Sequence, residues 1–154
     1  KVENETGETL ILGSSEWVVI HSEKRRLVSA PDLYSITDGF HPEINFDTRL
    51  EKVEDFETDN TPYVLTPGFS QIDVNSHVNN TKYADYIYDA MTLEERKKLS
   101  YLCAMDIWFN YELREGDVFS IYKFSPDATT LCFSGIKDGE SRSSFDLRLK
   151  FDLE

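Results

Sequence analysis

Residues 69–87 read FSQIDVNSHVNNTKYADYI, and the pattern changes period partway along. Through its first half, Asp73, Asn75 and His77 share one parity, and the apolar Ile72 and Val74 take the other. That alternation describes an extended segment with two unlike faces. From Asn79 onward the spacing lengthens, and Tyr83, Ile87 and Ala90 fall on one helical stripe. Asn79 or Asn80 stands where a side-chain oxygen can cap the first turn. An extended segment therefore runs into an amphipathic helix, and the partner on which that helix packs decides the fold class.

The remaining sequence, from Thr92 to Glu154, is mostly β. A short second helix comes first, opened by the capping box of Thr92 and Glu95 in TLEERKKL. Four β segments succeed it, at 101–113, 117–125, 129–137 and 143–154. The last is the clearest: Phe145, Leu147, Leu149, Phe151 and Leu153 alternate with Asp146, Arg148, Lys150 and Asp152. This is a sheet with one buried face. The short turns REGD, PDA and DGES imply an antiparallel meander. The class is α+β, with an antiparallel sheet packed on the helix.

Upstream, residues 8–21 read as β, entered through the turn ETGET. Residues 31–62 are polar, broken by prolines and acidic toward their end. They read as a linker between closing strands at 1–30 and a domain at 63–154. The segment 63–75 reads as extended.

Composition narrows the function. Of 154 residues, 40% are hydrophobic, so a sizeable core can be buried. The net charge of −13 argues against nucleic acid, whose phosphates attract Lys and Arg. Two basic clusters interrupt the acidity: Lys24, Arg25 and Arg26, and Arg96, Lys97 and Lys98. No apolar run approaches the ~18 residues that a membrane span needs. Cys103 and Cys132 lie in apolar surroundings without a disulfide or zinc spacing, which reads as two buried hydrophobes in a reducing, cytoplasmic setting. The chain opens on Lys1, inside what already reads as structure, so the expectation is that an upstream part is absent.

The polar face is the candidate site. Along a straight strand Asp73 and Asn75 are about 6.6 Å apart, and Asp73 and His77 about 13 Å. The chain must turn between Asn75 and Val78 to enter the helix, and that turn can gather the three side chains. It also brings the N–H groups of the helix start beside them, which suit an oxyanion. Asp106, Trp108, Asn110 and Glu112 share one parity on the next segment, with Glu112 at its end. A carboxylate beside an imidazole and an amide suits general-base activation of water. Spacing alone leaves three readings open: side chains that merely cap a turn, a metal site, or a hydrolytic site.

The run D-x-N-x-H-V-N-N-x-x-Y is complete here as Asp73, Asn75, His77, Val78, Asn79, Asn80 and Tyr83. It closely resembles the signature of the acyl-ACP thioesterase family, which releases fatty acids from acyl carrier protein. The resemblance is firm over 63–125 and looser at the ends. It implies a hotdog fold, an antiparallel sheet wrapped around a helix, with this run in the second of two such repeats. FNYELREGD resembles the segment that carries the family's catalytic Glu, which places it at Glu112. Many plant members have Cys next, where this chain has Leu113, so the resemblance implies a carboxylate-activated water and no Cys nucleophile. GETLILGSSEWVVIHSEKRRLVSAP resembles the closing strands of a first hotdog, the repeat thought to hold the acyl chain.

The implied reaction is hydrolysis of a fatty acyl thioester. Asp73, Asn75, His77 and Glu112 form the catalytic set, without metal or cofactor. The implied partner is acyl carrier protein bearing an acyl-phosphopantetheine, with no nucleic acid and no membrane. The closing strands are expected to pair with the rest of a first hotdog or with another copy. Acyl-CoA hydrolysis and a non-catalytic acyl-binding module are the alternatives.

Overall fold

The computed structural model describes residues 1–21, 23–24, 26–28 and 61–153. The chain divides into two compact units, Lys1–Arg49 and Leu50–Glu154. The expected linker at 31–62 lies outside the described residues but for its last two.

In the first unit, β1 (Val2–Glu3) and β2 (Thr9–Ile11) form an antiparallel hairpin. Its turn is the expected one: Gly7 takes a φ of 84°, and the Asn4 side-chain oxygen accepts from the Thr6 and Glu8 N–H groups. The longer strand expected over 8–21 is not formed. Of those residues only Thr9–Ile11 are strand, and an isolated bridge joins Ile20 to Leu27. Apolar alternation makes a strand only where a neighbouring backbone pairs with it. Trp17, at 80% exposure, has no such cover among the described residues.

The second unit is a five-stranded antiparallel sheet on one face of a helix. Its strands are β3 (Tyr63–Leu65), β4 (Leu102–Phe109), β5 (Phe119–Asp127), β6 (Thr130–Lys137) and β7 (Ser143–Phe151), in the order β3-β5-β6-β7-β4. The helix α1 (Lys82–Ala90) buries Tyr83, Tyr86 and Ile87. Tyr86 meets Phe119 edge to face, and Tyr83 meets Phe145 and Phe109 in the same way. The expected inward set of β7 is buried as far as Phe151, whereas Leu153 lies past the strand and is exposed. Burying each such side chain contributes roughly 1.5–3 kcal/mol. Asp146, on the opposite parity, is buried as well. It accepts from the Ser134 and Ser143 hydroxyls and the Asn110 amide, so its burial is compensated.

After α1, the short helix α2 (Leu93–Lys97) opens with the expected capping box. The Thr92 hydroxyl accepts from the Glu95 N–H, and the Glu95 carboxylate accepts from the Thr92 N–H. Arg96 donates to the Tyr88 and Asp89 carbonyls at the end of α1, with its guanidinium 4.7 Å from the Tyr88 ring centre.

Three expectations need correction. First, the meander holds only for β5, β6 and β7, because β4 pairs with β7 at the edge. The REGD turn does not close a hairpin. Both edges of β5 are already taken, by β3 and β6. Residues 110–118 instead run along the end of the sheet, where the Asn110 and Tyr111 N–H groups donate to Ser144 O. Second, the extended segment 63–75 is strand only at Tyr63–Leu65. A 3-10 turn comes next at Phe69–Gln71, closed by the Gln71 side chain on the Gly68 N–H. Third, Cys103 is exposed, on edge strand β4, while Cys132 is buried as expected.

Candidate active site

The two segments that carry the candidate residues meet at the end of the sheet where β4 finishes and β5 begins. The Val78 N–H donates to Leu113 O at 2.7 Å, and the Asn79 N–H donates to Gln71 O. Leu113 itself is fully buried, so it pins the backbone beside Glu112.

Asp73 to His77 form a tight turn rather than a straight strand. The Asp73 N–H donates to His77 O at 2.8 Å, and Ile72 bridges Val78. Asp73 Oδ1 accepts from the Asn75 and His77 N–H groups at 2.8 and 3.3 Å. Partial burial works to raise this carboxyl. The N–H donors of Asn75 and His77, the Asn75 side chain and the charge of His77 outweigh that effect and hold it below the usual carboxylate range. Ser76 takes a φ of 63°, in the left-handed region that a non-glycine residue enters only when its surroundings require it.

The turn carries His77 to Glu112, with Nε2 2.8 Å from Oε2. The ring is mostly buried and the carboxylate half-exposed. Glu112 does not sit on β4, which ends at Phe109; the parity count fails where Asn110 and Tyr111 share one acceptor. Thus three of the four candidate residues come from one turn, and the fourth reaches it from a neighbouring loop. Asp73 and Asn75 engage each other, whereas His77 and Glu112 make the direct contact.

The helix start is less available than its position suggests. The N–H groups of Val78, Asn79, Thr81 and Lys82 are already bonded, Thr81 to the Asn79 side chain and Lys82 to Asn79 O. Asn79 therefore shapes the entry to α1 as a side-chain turn, and the exposed Asn75 side chain engages the Asp73 carboxylate.

Two residues at the site were not in the expected set. Arg114 Nη2 lies 3.4 Å from Glu112 Oε2 and 3.5 Å from His77 Nε2. Tyr83, 3% exposed, lies beneath the site. Burial pushes its hydroxyl up to about 12; the Leu113 N–H pulls the other way, and the charges of Glu112 and Asp73 add to the rise. The signature run contains Tyr83, but helical spacing accounts for it as core. Nothing in the spacing singles out Arg114.

An open depression lies on the Asp73 and Arg114 side of the site, and His77, Glu112 and Asn75 are not among the residues that line it. Its apolar lining comes from Phe69, Ile72 and Val74, and its charged lining from Asp73, Arg114 and Glu115. Among the described residues no group of three or more His, Cys, Asp or Glu is placed to hold a metal ion. No helix among them is long and apolar enough to cross a membrane. The arrangement can orient a partly solvent-exposed carboxylate by an imidazole, which is what general-base delivery of water needs.

A family profile described as the acyl-ACP thioesterase C-terminal domain matches residues 51–152. The chain is 31% identical over 130 residues to a chloroplastic palmitoyl-acyl carrier protein thioesterase of Cuphea hookeriana, covering 79% of this chain and 31% of that one. Among solved structures, it resembles a 12:0-ACP thioesterase from Umbellularia californica, with a TM-score of 0.68 and 19% identity over 86% of this chain and 52% of that chain. It also resembles an acyl-ACP thioesterase from Bacteroides thetaiotaomicron, with a TM-score of 0.65 and 22% identity over 86% and 53%. The chain thus spans about a third of the curated relative and about half of each solved chain. The structural likeness identifies the fold as hotdog.

Proposed function

This chain belongs to the acyl-ACP thioesterase family, and from that premise we propose that it hydrolyses a fatty acyl thioester carried on the phosphopantetheine arm of acyl carrier protein. The observation that carries the reading is the 2.8 Å contact between His77 Nε2 and Glu112 Oε2, with the carboxylate partly open to solvent. Glu112 takes a proton from water as the water oxygen attacks the thioester carbon. His77 orients the carboxylate through its ring N–H, since a carboxylate oxygen only accepts. The Asn75 amide donates to the carbonyl oxygen as negative charge gathers there. Collapse of the adduct breaks the carbon–sulfur bond, and the thiol leaves with the proton that Glu112 took. Water and thioester become acid and thiol.

Asp73 does not act as base in this reading. Its oxygen is held by the turn, and its work is to shape the loop that presents Asn75 and His77. Leu113 offers no nucleophile, so water is the attacking group. In this reading residues 1–30 are the end of a preceding repeat, and the acyl pocket draws on that repeat.

The test is thiol release from acyl-ACP, acyl-CoA and a small acyl-pantetheine thioester, with the parent chain and with Glu112→Gln. Release from the carrier substrate that Glu112→Gln abolishes supports the reading. Turnover confined to acyl-CoA changes the substrate class, and acyl binding without turnover makes the chain a binding module.

A further inference from the structure

Arg114 takes no part in the bond changes of thioester hydrolysis, yet its guanidinium touches both members of the central pair. We propose that Arg114 is a positioning residue that locks the Glu112 carboxylate against His77, a proposal that rests on the hydrolytic reading and deepens it.

The backbone of Arg114 is fixed independently of its side chain. Its N–H donates to Asp117 Oδ2 at 2.9 Å, and the Asp117 N–H returns to Arg114 O at 3.1 Å. Gly116, with a φ of 81°, gives the turn its shape and donates to Pro67 O. Asp117 is held in turn by Lys137 at 2.8 Å. The guanidinium then reaches back to the pair from a rigid turn.

Hydrogen counting assigns its target. The carboxylate accepts only, so His77 Nε2 must carry the proton that points at Oε2. Guanidinium donates only, so it cannot bond that same nitrogen. Its 3.5 Å approach to the ring is a neighbour contact, and its bond, at 3.4 Å, goes to Glu112 Oε2. One oxygen therefore receives two donors from two segments, which fixes the carboxylate plane as a single donor cannot. The charge matters too. Asp73 acts on His77, and Glu115 lines the same depression, so Arg114 supplies a positive charge among three carboxylates. Because the Arg114 side chain is more than half exposed, solvent screening keeps the effect moderate.

The test compares the full chain with Arg114→Gln, Arg114→Lys and, as a control on the surface of β7, Lys150→Gln. The first readout is the exchange rate of the His77 ring N–H by nuclear magnetic resonance, which needs no turnover. In the parent this proton is expected to be protected. Arg114→Gln is expected to speed its exchange about tenfold, Arg114→Lys to recover part of the protection, and Lys150→Gln to match the parent. Unchanged exchange in a folded Arg114→Gln chain overturns the proposal, as does an unprotected ring proton in the parent. The second readout is kinetic, on the acyl-pantetheine thioester: kcat falls about tenfold with KM unmoved. A raised KM with kcat intact makes Arg114 a substrate contact and overturns the proposal. If no thioester is hydrolysed at all, the hydrolytic reading fails while the exchange result still decides the structural claim.

Discussion

His77 Nε2 and Glu112 Oε2 lie 2.8 Å apart although the helices α1 and α2 and the strand β4 separate them in the chain. The backbone bond from Val78 N–H to Leu113 O, one residue beyond each, zips their segments together and leaves the two side chains no separate choice. If the pair acts as one unit, His77→Ala and Glu112→Gln should each lower kcat by about 10²–10⁴. The double variant should be scarcely worse than the poorer single one. Additive losses in initial-rate kinetics, with both chains folded by circular dichroism, would separate the two residues into independent roles.

Asp73 yields a contrast between two substitutions. A base cannot be replaced by an amide, but a turn-forming acceptor can. Asp73→Asn keeps an oxygen for the Asn75 and His77 N–H groups and should retain at least about a tenth of parental kcat, whereas Asp73→Ala should lose most of it. The sign of the pH effect comes from the lowered carboxyl. Its contribution to folding is present above the unfolded carboxyl value and is lost only as pH falls through the lower folded one. The Asp73 contribution to the parent loop should therefore hold from about pH 8 to about pH 5, as read by the Asp73 side-chain carboxyl carbon shift. An Asp73→Asn chain as inactive as Asp73→Ala would return Asp73 to the chemistry.

The sequence made some of this visible and hid the rest for identifiable reasons. The β7 alternation was legible because a sheet with one wet face writes period two into Phe145, Leu147, Leu149 and Phe151. The α1 stripe was legible for the corresponding helical reason. Pairing of β4 with β7 was not, since turn residues report local chain reversal and say nothing about which edge a strand joins. The parity count placed Glu112 at a strand end, but β4 stops earlier and the chain bends at Asn110 and Tyr111. Glu112 still arrives at His77 because the loop, not the strand, delivers it. Cys103 misled because an apolar neighbourhood in sequence includes sheet edges. Arg114 was hidden because a charged residue in a turn is ordinarily solvated.

Packing of the sheet makes a stability prediction at Gly135. A Cβ built there would overlap the Phe145 ring, and Phe145 is fully buried. The ring cannot yield, because Tyr83 and Phe119 stack on it edge to face. Gly135→Ala should cost about 1–3 kcal/mol, measured by urea denaturation. Adding Phe145→Leu should recover part of that loss, since the smaller side chain vacates the clash. A Gly135→Ala midpoint equal to the parent's would show that this contact is slack.

The acidity of the chain sets the last prediction, which concerns carrier docking. A chain of net charge −13 repels an acidic carrier, so attraction must come from local cations. The second cluster is not one uniform patch. Arg96 is spent on the end of α1, whereas Lys97 is exposed beside Glu94, and Lys98 reaches Ala128 O at a long 3.4 Å. Reversing Arg96 should therefore cost about 1 kcal/mol of stability. Reversing Lys97 and Lys98 together should instead raise KM for acyl-ACP roughly fivefold at low salt and leave acyl-pantetheine hydrolysis unchanged. Arg25 and Arg26 make the parallel pair in the first cluster, of which Arg25 lies outside the described residues. The rise in KM should shrink as salt reaches about 0.5 M, because screening removes an attraction between exposed charges and spares a packing contact. A KM for the carrier that ignores both reversals would move docking away from these two clusters.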